Sequence, residues 1–120
     1  MASDFSAEIM GLQMVEHGSD ARVVTVTGEV DSLTAPELAA FLTAQLAAAR
    51  LVVVDLDGVQ FMGSAGLAAL FEANELASRE NCGLRLVCDS RVVNRALETA
   101  GLRHCFTFAD NVVDAVRNLP

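Results

Sequence analysis

The sequence predicts a single α/β domain with a mixed, mostly parallel β-sheet and helices packed against it. Three observations support this prediction. Strand-like and helix-like patterns alternate along the chain in the order ββαβαβαβα. The segment LVVVDL at residues 51–56 is continuously apolar, which is typical of a strand that helices cover on both faces. The 120 residues are enough for one core and too few for two.

The chain opens with a predicted hairpin. Apolar and polar residues alternate in IMGLQMVE (residues 9–16) and RVVTVTGEV (residues 22–30), which indicates two half-buried strands. The HGSD segment between them supplies turn-forming residues. Residues 1–8 are a candidate loose N-terminal segment ahead of this hairpin.

The first helix is predicted within SLTAPELAAFLTAQLAAAR, residues 32–50. Thr34 is its expected N-cap, Pro36 falls in the first turn, and Glu37 has the spacing of a capping box with Thr34. One apolar face is predicted from Leu38, Phe41, Leu42 and Leu46.

The rest of the chain repeats strand and helix. After the buried strand at 51–56 we expect a helix over residues 65 to about 80, a strand in GLRLVCD (83–89) and a helix that Gly101 ends. A short strand in CFTFA (105–109) and a last helix in DNVVDAVRNL (110–119), capped by Asp110, complete the pattern.

Composition limits the function classes. The formal net charge is −8, from sixteen acidic and eight basic residues, which disfavours nucleic acids and anionic membranes as partners. The N-terminal residues show no secretory signal pattern, and the apolar runs are too short to span a bilayer. We therefore expect a cytoplasmic protein.

The three cysteines form no metal-binding or redox motif. Cys82, Cys88 and Cys105 are odd in number and include no CxxC pair, so we expect small buried or half-buried side chains. No metal site and no cofactor are predicted.

Polar residues follow three predicted strands: Asp31 to Thr34, Ser64, and Asp89 with Ser90. Because the carboxyl ends of parallel strands share one edge of a sheet, these residues are expected on one rim of the domain.

Ser64, in VQFMGSAGLAAL (residues 59–70), has several possible roles. It can cap the following helix, with Gly63 at positive φ and Gly66 allowing close packing. A hydrolase nucleophile is disfavoured, because MGSAG lacks the first glycine of G-x-S-x-G and neither His17 nor His104 is placed nearby. A P-loop is disfavoured because the lysine is missing. The remaining possibility is that Ser64 is modified by another protein.

Three segments carry a family resemblance: TGEVDSLTAPEL (27–38), VVVDLDGVQFMGSAGLAAL (52–70) and GLRLVCDSRVVNRALETAGL (83–102). In this order they resemble STAS domains, specifically bacterial anti-sigma factor antagonists. The resemblance covers nearly the whole chain and implies a STAS fold over residues 1–120.

The resemblance also implies a function in transcription regulation and stress response. Such proteins are not enzymes; they bind an anti-sigma factor serine/threonine kinase and thereby release a sigma factor. Phosphorylation at the serine that corresponds to Ser64 ends the binding, and a PP2C-type phosphatase reverses it. The family's usual Asp and Ser on either side of this serine are Gly63 and Ala65 here. The expected partner contacts are Asp31, Ser32, Thr34, Gly63, Ala65, Gly66 and Leu67.

Two alternatives stay open at this point. The chain could be a STAS subunit of a stress-signalling scaffold complex. It could also be a small nucleotide- or anion-binding module that uses Ser64 and the adjacent helix N–H groups, although no arginine lies beside the motif in sequence.

Overall fold

The computed structural model describes residues 9–117. The candidate loose segment at 1–8 and the end of the last predicted helix lie outside these residues. Within them the elements follow the predicted order. The strands are β1 (Gly11–His17), β2 (Ala21–Val30), β3 (Leu51–Met62), β4 (Gly83–Val87) and β5 (Thr107–Ala109). The helices are α1 (Ala35–Ala48), α2 (Ser64–Arg79), α3 (Arg91–Thr99) and α4 (Val112–Arg117), with a 3-10 turn at Arg103–Cys105.

The five strands form one sheet in the order β1-β2-β3-β4-β5. β1 is antiparallel to β2, and each later strand is parallel to its neighbour, so the predicted mixed and mostly parallel sheet is confirmed. The carboxyl ends of β2, β3 and β4 therefore lie on one edge, where α1, α2 and α3 begin.

Helices cover both faces of the central strand β3, as its apolar sequence predicts. Val52 and Val54 belong to the main core, which also takes buried residues from α1, α2 and α3. Leu51 and Val53 belong to a smaller cluster that includes Ala115 of α4. The alternation of side chains along a strand sends successive residues to opposite faces, so both clusters are built from one short segment.

β3 extends six residues beyond the predicted strand. The apolar pattern breaks at Asp55, Asp57 and Gly58, but pairing with β2 continues through two register shifts until Val30 lies opposite Met62. An Asp-Gly pair such as Asp57 and Gly58 is typical of a turn, but Asp57 lies in the strand, and its carboxylate accepts a hydrogen bond from the Asp89 backbone N–H at 2.6 Å. This extension carries the chain to the rim.

The helix ends differ from the predictions in detail. Gly101 follows α3 with φ of +71°, as expected for a residue that ends a helix. The predicted cap Asp110 is wrong by one residue, because the Asn111 side chain accepts from the Asp114 backbone N–H at 2.8 Å. Within residues 9–117 no helix is long and apolar enough to cross a membrane.

Candidate functional site

The loop after β2 and the start of α2 meet at the rim. The Gly63 N–H donates a 2.9 Å hydrogen bond to the carbonyl of Val30, which ties the residue before Ser64 to the residue before Asp31. Ser32 and Ala65 line one shallow groove, of about 240 Å³, between α1 and α2. Two of the three predicted polar segments therefore lie side by side.

The third polar segment has a structural role. Ser90 is buried and caps α3, since its hydroxyl accepts from the Val93 N–H at 3.3 Å and donates to the Val59 carbonyl at 3.0 Å. It fixes the start of α3 against β3 and leaves no free hydroxyl there.

Ser64 is not the cap of α2. Gly63 occupies the N-cap position with φ of −86° and ψ of 177°, no side chain caps the helix, and Ser64 is the first helical residue. The expectation of positive φ at Gly63 is also wrong. Because Gly63 occupies the N-cap position, the Ser64 side chain does not cap the helix, and it is exposed.

The surroundings of Ser64 favour an anion. The helix ladder starts with the Leu67 N–H, which donates to the Gly63 carbonyl at 3.1 Å, so the N–H groups of the three preceding residues have no acceptor within the helix. The first turn of α2 contains no acidic residue. A negative group on Ser64 would therefore meet the positive end of the helix dipole without local repulsion from its own turn.

Gly66 and Leu67 face inward. A Cβ added to Gly66 would lie 2.4 Å from Met62 Sδ and 2.6 Å from Val30 Cγ1, so the predicted close packing is confirmed. Leu67 is 7% exposed. Their contribution to a partner surface, like that of the other five expected contacts in the motif and the loop, stays a prediction. Sequence reasoning missed Leu33, which is 87% exposed in the same loop as Ser32.

Asp31 organises the loop after β2. Its Oδ1 accepts hydrogen bonds from the backbone N–H groups of Leu33 and Thr34, both at 3.0 Å. The Thr34 hydroxyl lies 3.1 Å from the Glu29 carbonyl and accepts from the Asp31 N–H at 2.9 Å. Thr34 occupies the N-cap position of α1 but its side chain does not cap the helix, so the predicted capping box with Glu37 is wrong. The Thr34 hydroxyl makes its hydrogen bonds within the loop instead.

Asp31 is expected to make stability depend on pH. The hydrogen bond from the Thr34 N–H, followed by that from Leu33, lowers the pKa of this carboxyl below its usual 3.8. A lowered pKa in the folded state stabilises the fold above the usual value, and the stabilisation is lost as the pH falls through the lowered pKa. Asp31→Asn should therefore unfold at a lower temperature than wild type near neutral pH, with the difference closing in acid. Thermal unfolding across this pH range measures it, and a difference independent of pH would contradict the assignment.

A second groove borders Ser64 on its other side. The Phe61 groove is a depression of about 450 Å³ between the end of β3, the start of α2 and one side of α3. Its lining includes Phe61, Ser64, Leu67, Val92, Arg95 and Ala96. No arginine lies beside the motif in sequence, and Arg95 is 31 residues from Ser64, but in the fold the two residues line the same groove. Only the packing of α3 against β3 brings them to one groove.

Comparison with known proteins places this arrangement in a family. A STAS domain family model matches residues 12–115. The chain belongs to the STAS domain family. It is 30% identical over 90 residues to the anti-sigma-F factor antagonist RsfA of two Mycobacterium tuberculosis strains, CDC 1551 / Oshkosh and H37Rv, covering 72% of this chain and 70% of the relative.

Solved structures resemble this STAS domain over most of its length. An anti-sigma factor antagonist from Mycobacterium paratuberculosis is 30% identical with a TM-score of 0.80, covering 91% of this chain and 92% of the other. The anti-sigma factor antagonist SpoIIAA in its unphosphorylated form is 16% identical with a TM-score of 0.71, covering 84% and 90%. At that identity SpoIIAA supports the fold alone.

Neither histidine of this STAS domain is close to Ser64. His17 pairs with Ala21, at the start of β2, whereas Ser64 follows the residue tied to Val30 at its end. Nine residues of strand separate these points, which is about 30 Å. His104 lies in the 3-10 turn before β5, where the carbonyl of the next residue, Cys105, accepts a 2.9 Å hydrogen bond from Asn74, which is about 15 Å along α2 from Ser64. A histidine base for a Ser64 nucleophile is therefore absent from the part of the rim that residues 9–117 form.

The cysteines of this STAS domain behave as half-buried apolar groups. All three are free thiols of intermediate exposure, as predicted. Burial raises the pKa of the Cys82 thiol and of the Cys88 thiol, which lowers their thiolate fraction and their reactivity. Among residues 9–117 no group of three or more His, Cys, Asp or Glu side chains could hold a metal ion.

Proposed function

We propose that this STAS domain is an anti-sigma factor antagonist that binds an anti-sigma factor serine kinase, and that phosphorylation of Ser64 ends the binding. The observation that carries the proposal is the exposed Ser64 hydroxyl at the first position of α2, free of the capping role that its sequence suggests. The names of its relatives, anti-sigma factor antagonists at 30% identity, support the same role.

The switch works through local charge. A phosphoryl group adds about −1.5 to −2 charge and three acceptor oxygens. The start of α2 favours an anion by about 0.3–1 kcal/mol, so the domain itself has no reason to refold. A docked partner, in contrast, must strip water from that group and approach it beside Asp31, whose lowered pKa keeps it charged.

The proposal includes the rest of the cycle. The chain performs no chemistry of its own and acts in the cytoplasm, where a PP2C-type phosphatase removes the phosphoryl group and restores binding. Its exposed position makes Ser64 accessible to both enzymes.

A kinase reaction with site mapping tests the acceptor. The chain is incubated with ATP and each serine-kinase anti-sigma factor of the source genome, and the modified residue is located by mass spectrometry. We expect one phosphoryl group, on Ser64, because the next residue, Ala65, has no hydroxyl.

Ser32 provides a matched control for this experiment. It is an exposed serine that lines the groove shared with Ala65, on the facing loop. Ser64→Ala should abolish incorporation, whereas Ser32→Ala should still be phosphorylated, and on Ser64. Phosphorylation at Ser32, or incorporation that survives Ser64→Ala, would assign the switch to another residue.

A further inference from the structure

The Phe61 groove exposes large apolar side chains beside the proposed acceptor. Phe61 is 47% exposed and Val92 is 43% exposed, and both line the groove with the buried Leu67. Phe61 lies on the strand that ends at the rim, and Val92 lies in the first turn of α3. Exposed apolar side chains that share one depression are typical of a surface that a partner covers.

The groove also carries a cation without a counter-charge. The Arg95 side chain is exposed, and its guanidinium makes no hydrogen bond or ion pair with any residue between 9 and 117, whereas Arg22 and Arg117 pair with Glu16 and Asp114. The chain has only eight arginines against sixteen acidic residues. An unpaired guanidinium beside an apolar depression complements a segment that has a carboxylate next to an apolar side chain.

Ser64 lines the same groove, so an occupant would lie directly against the acceptor hydroxyl. The groove is therefore continuous with the surface that the switch must control. A phosphoryl group on Ser64 would stand at its edge and would compete with the occupant's carboxylate for Arg95.

We propose that the Phe61 groove receives a segment of the anti-sigma partner in which an apolar side chain enters between Phe61 and Val92 and a neighbouring carboxylate pairs with Arg95. This inference rests on the proposed function. The contacts expected from sequence lie only in the loop after β2 and at the start of α2. The proposed groove adds one side of α3 to that partner surface.

Calorimetry tests the inference. It measures the affinity of each groove variant for the purified anti-sigma factors of the source genome. Phe61→Ser and Arg95→Glu are each expected to weaken binding at least about tenfold, because buried aromatic and arginine anchors dominate such interfaces. Two changes of the same chemistry outside the groove serve as controls. Arg79→Glu alters the last turn of α2, and Val113→Ser removes a valine that is 60% exposed on α4. Both should bind within about twofold of wild type.

Ser64→Asp, measured in parallel, separates the two proposals. If Ser64→Asp loses binding while Phe61→Ser and Arg95→Glu bind like wild type, the groove assignment is overturned and the proposed function stands. If the wild-type chain binds no anti-sigma factor, both are overturned.

Either of two further results would assign the groove to another occupant and overturn the inference. One is a dimer of the isolated chain that Phe61→Ser dissociates without changing partner affinity. The other is saturable ATP binding that Arg95→Glu abolishes while partner affinity is retained. Thermal unfolding of each variant confirms that it is folded.

Discussion

Ser64→Asp is expected to lower the affinity for the anti-sigma partner at least about a hundredfold, and Ser64→Ala is expected to leave it within a fewfold of wild type. The serine side chain is exposed and does not cap α2, so its removal costs the chain little packing or hydrogen bonding. A carboxylate at the same position adds a fixed negative charge that the partner must desolvate. Calorimetric titration of the three proteins with the same anti-sigma factor measures the effect.

Thermal unfolding separates this switch from misfolding. A negative charge in the first turn of a helix is favourable by about 0.3–1 kcal/mol, so Ser64→Asp should unfold at the wild-type temperature or slightly above it. Loss of binding together with retained stability supports the charge mechanism. Equal partner affinities of the Ser64→Asp and Ser64→Ala variants would show that a charge at this position does not control binding.

Gly28→Ala is expected to destabilise the fold by about 3 kcal/mol or more. Gly28 has φ of +81°, and a Cβ there would lie 2.4 Å from the carbonyl oxygen of Ile9 and 3.0 Å from its carbon. The left-handed conformation alone costs an alanine roughly 1–2 kcal/mol, and the contact with rigid backbone adds to it. Chemical denaturation of both proteins measures the loss.

Gly18→Ala is the matched control for Gly28→Ala. Gly18 also has positive φ, of +67°, but nothing lies within 4 Å of its added Cβ. Only the conformational cost applies there, and we expect a loss of about 1–2 kcal/mol. Equal losses at the two positions would show that the Ile9 backbone moves away, and the close approach would then not explain the glycine.

The order of elements could be predicted from sequence because it depends on local periodicity. Val52 and Val54 alternate with Leu51 and Val53 in one uninterrupted apolar run, and that run alone indicates a strand covered on two faces. The length of β3 could not be predicted in the same way. Its second half is held by pairing with β2, and sequence patterns do not show pairing over that distance.

The place of Ser64 at the start of a helix could be predicted from sequence, but the detail around it could not. The sequence places Ser64 at the start of a helix, but a serine and a preceding glycine both suit the N-cap, and only the backbone angles show that Gly63 occupies it. Arg95 could not be assigned to the site, because its place beside Ser64 depends on how α3 packs. The Asp31 loop shows the same limit, since the Thr34 hydroxyl bonds within the loop and leaves α1 uncapped.

The most direct test compares one preparation before and after it is phosphorylated to completion on Ser64. The dissociation constant for the anti-sigma partner is measured in both states, and amide NMR spectra are recorded alongside. We expect a loss of affinity of at least about a hundredfold, with spectral changes confined to the rim around residues 31–34 and 61–67 and to the facing side of α3. An unchanged dissociation constant after complete phosphorylation would contradict the proposed switch.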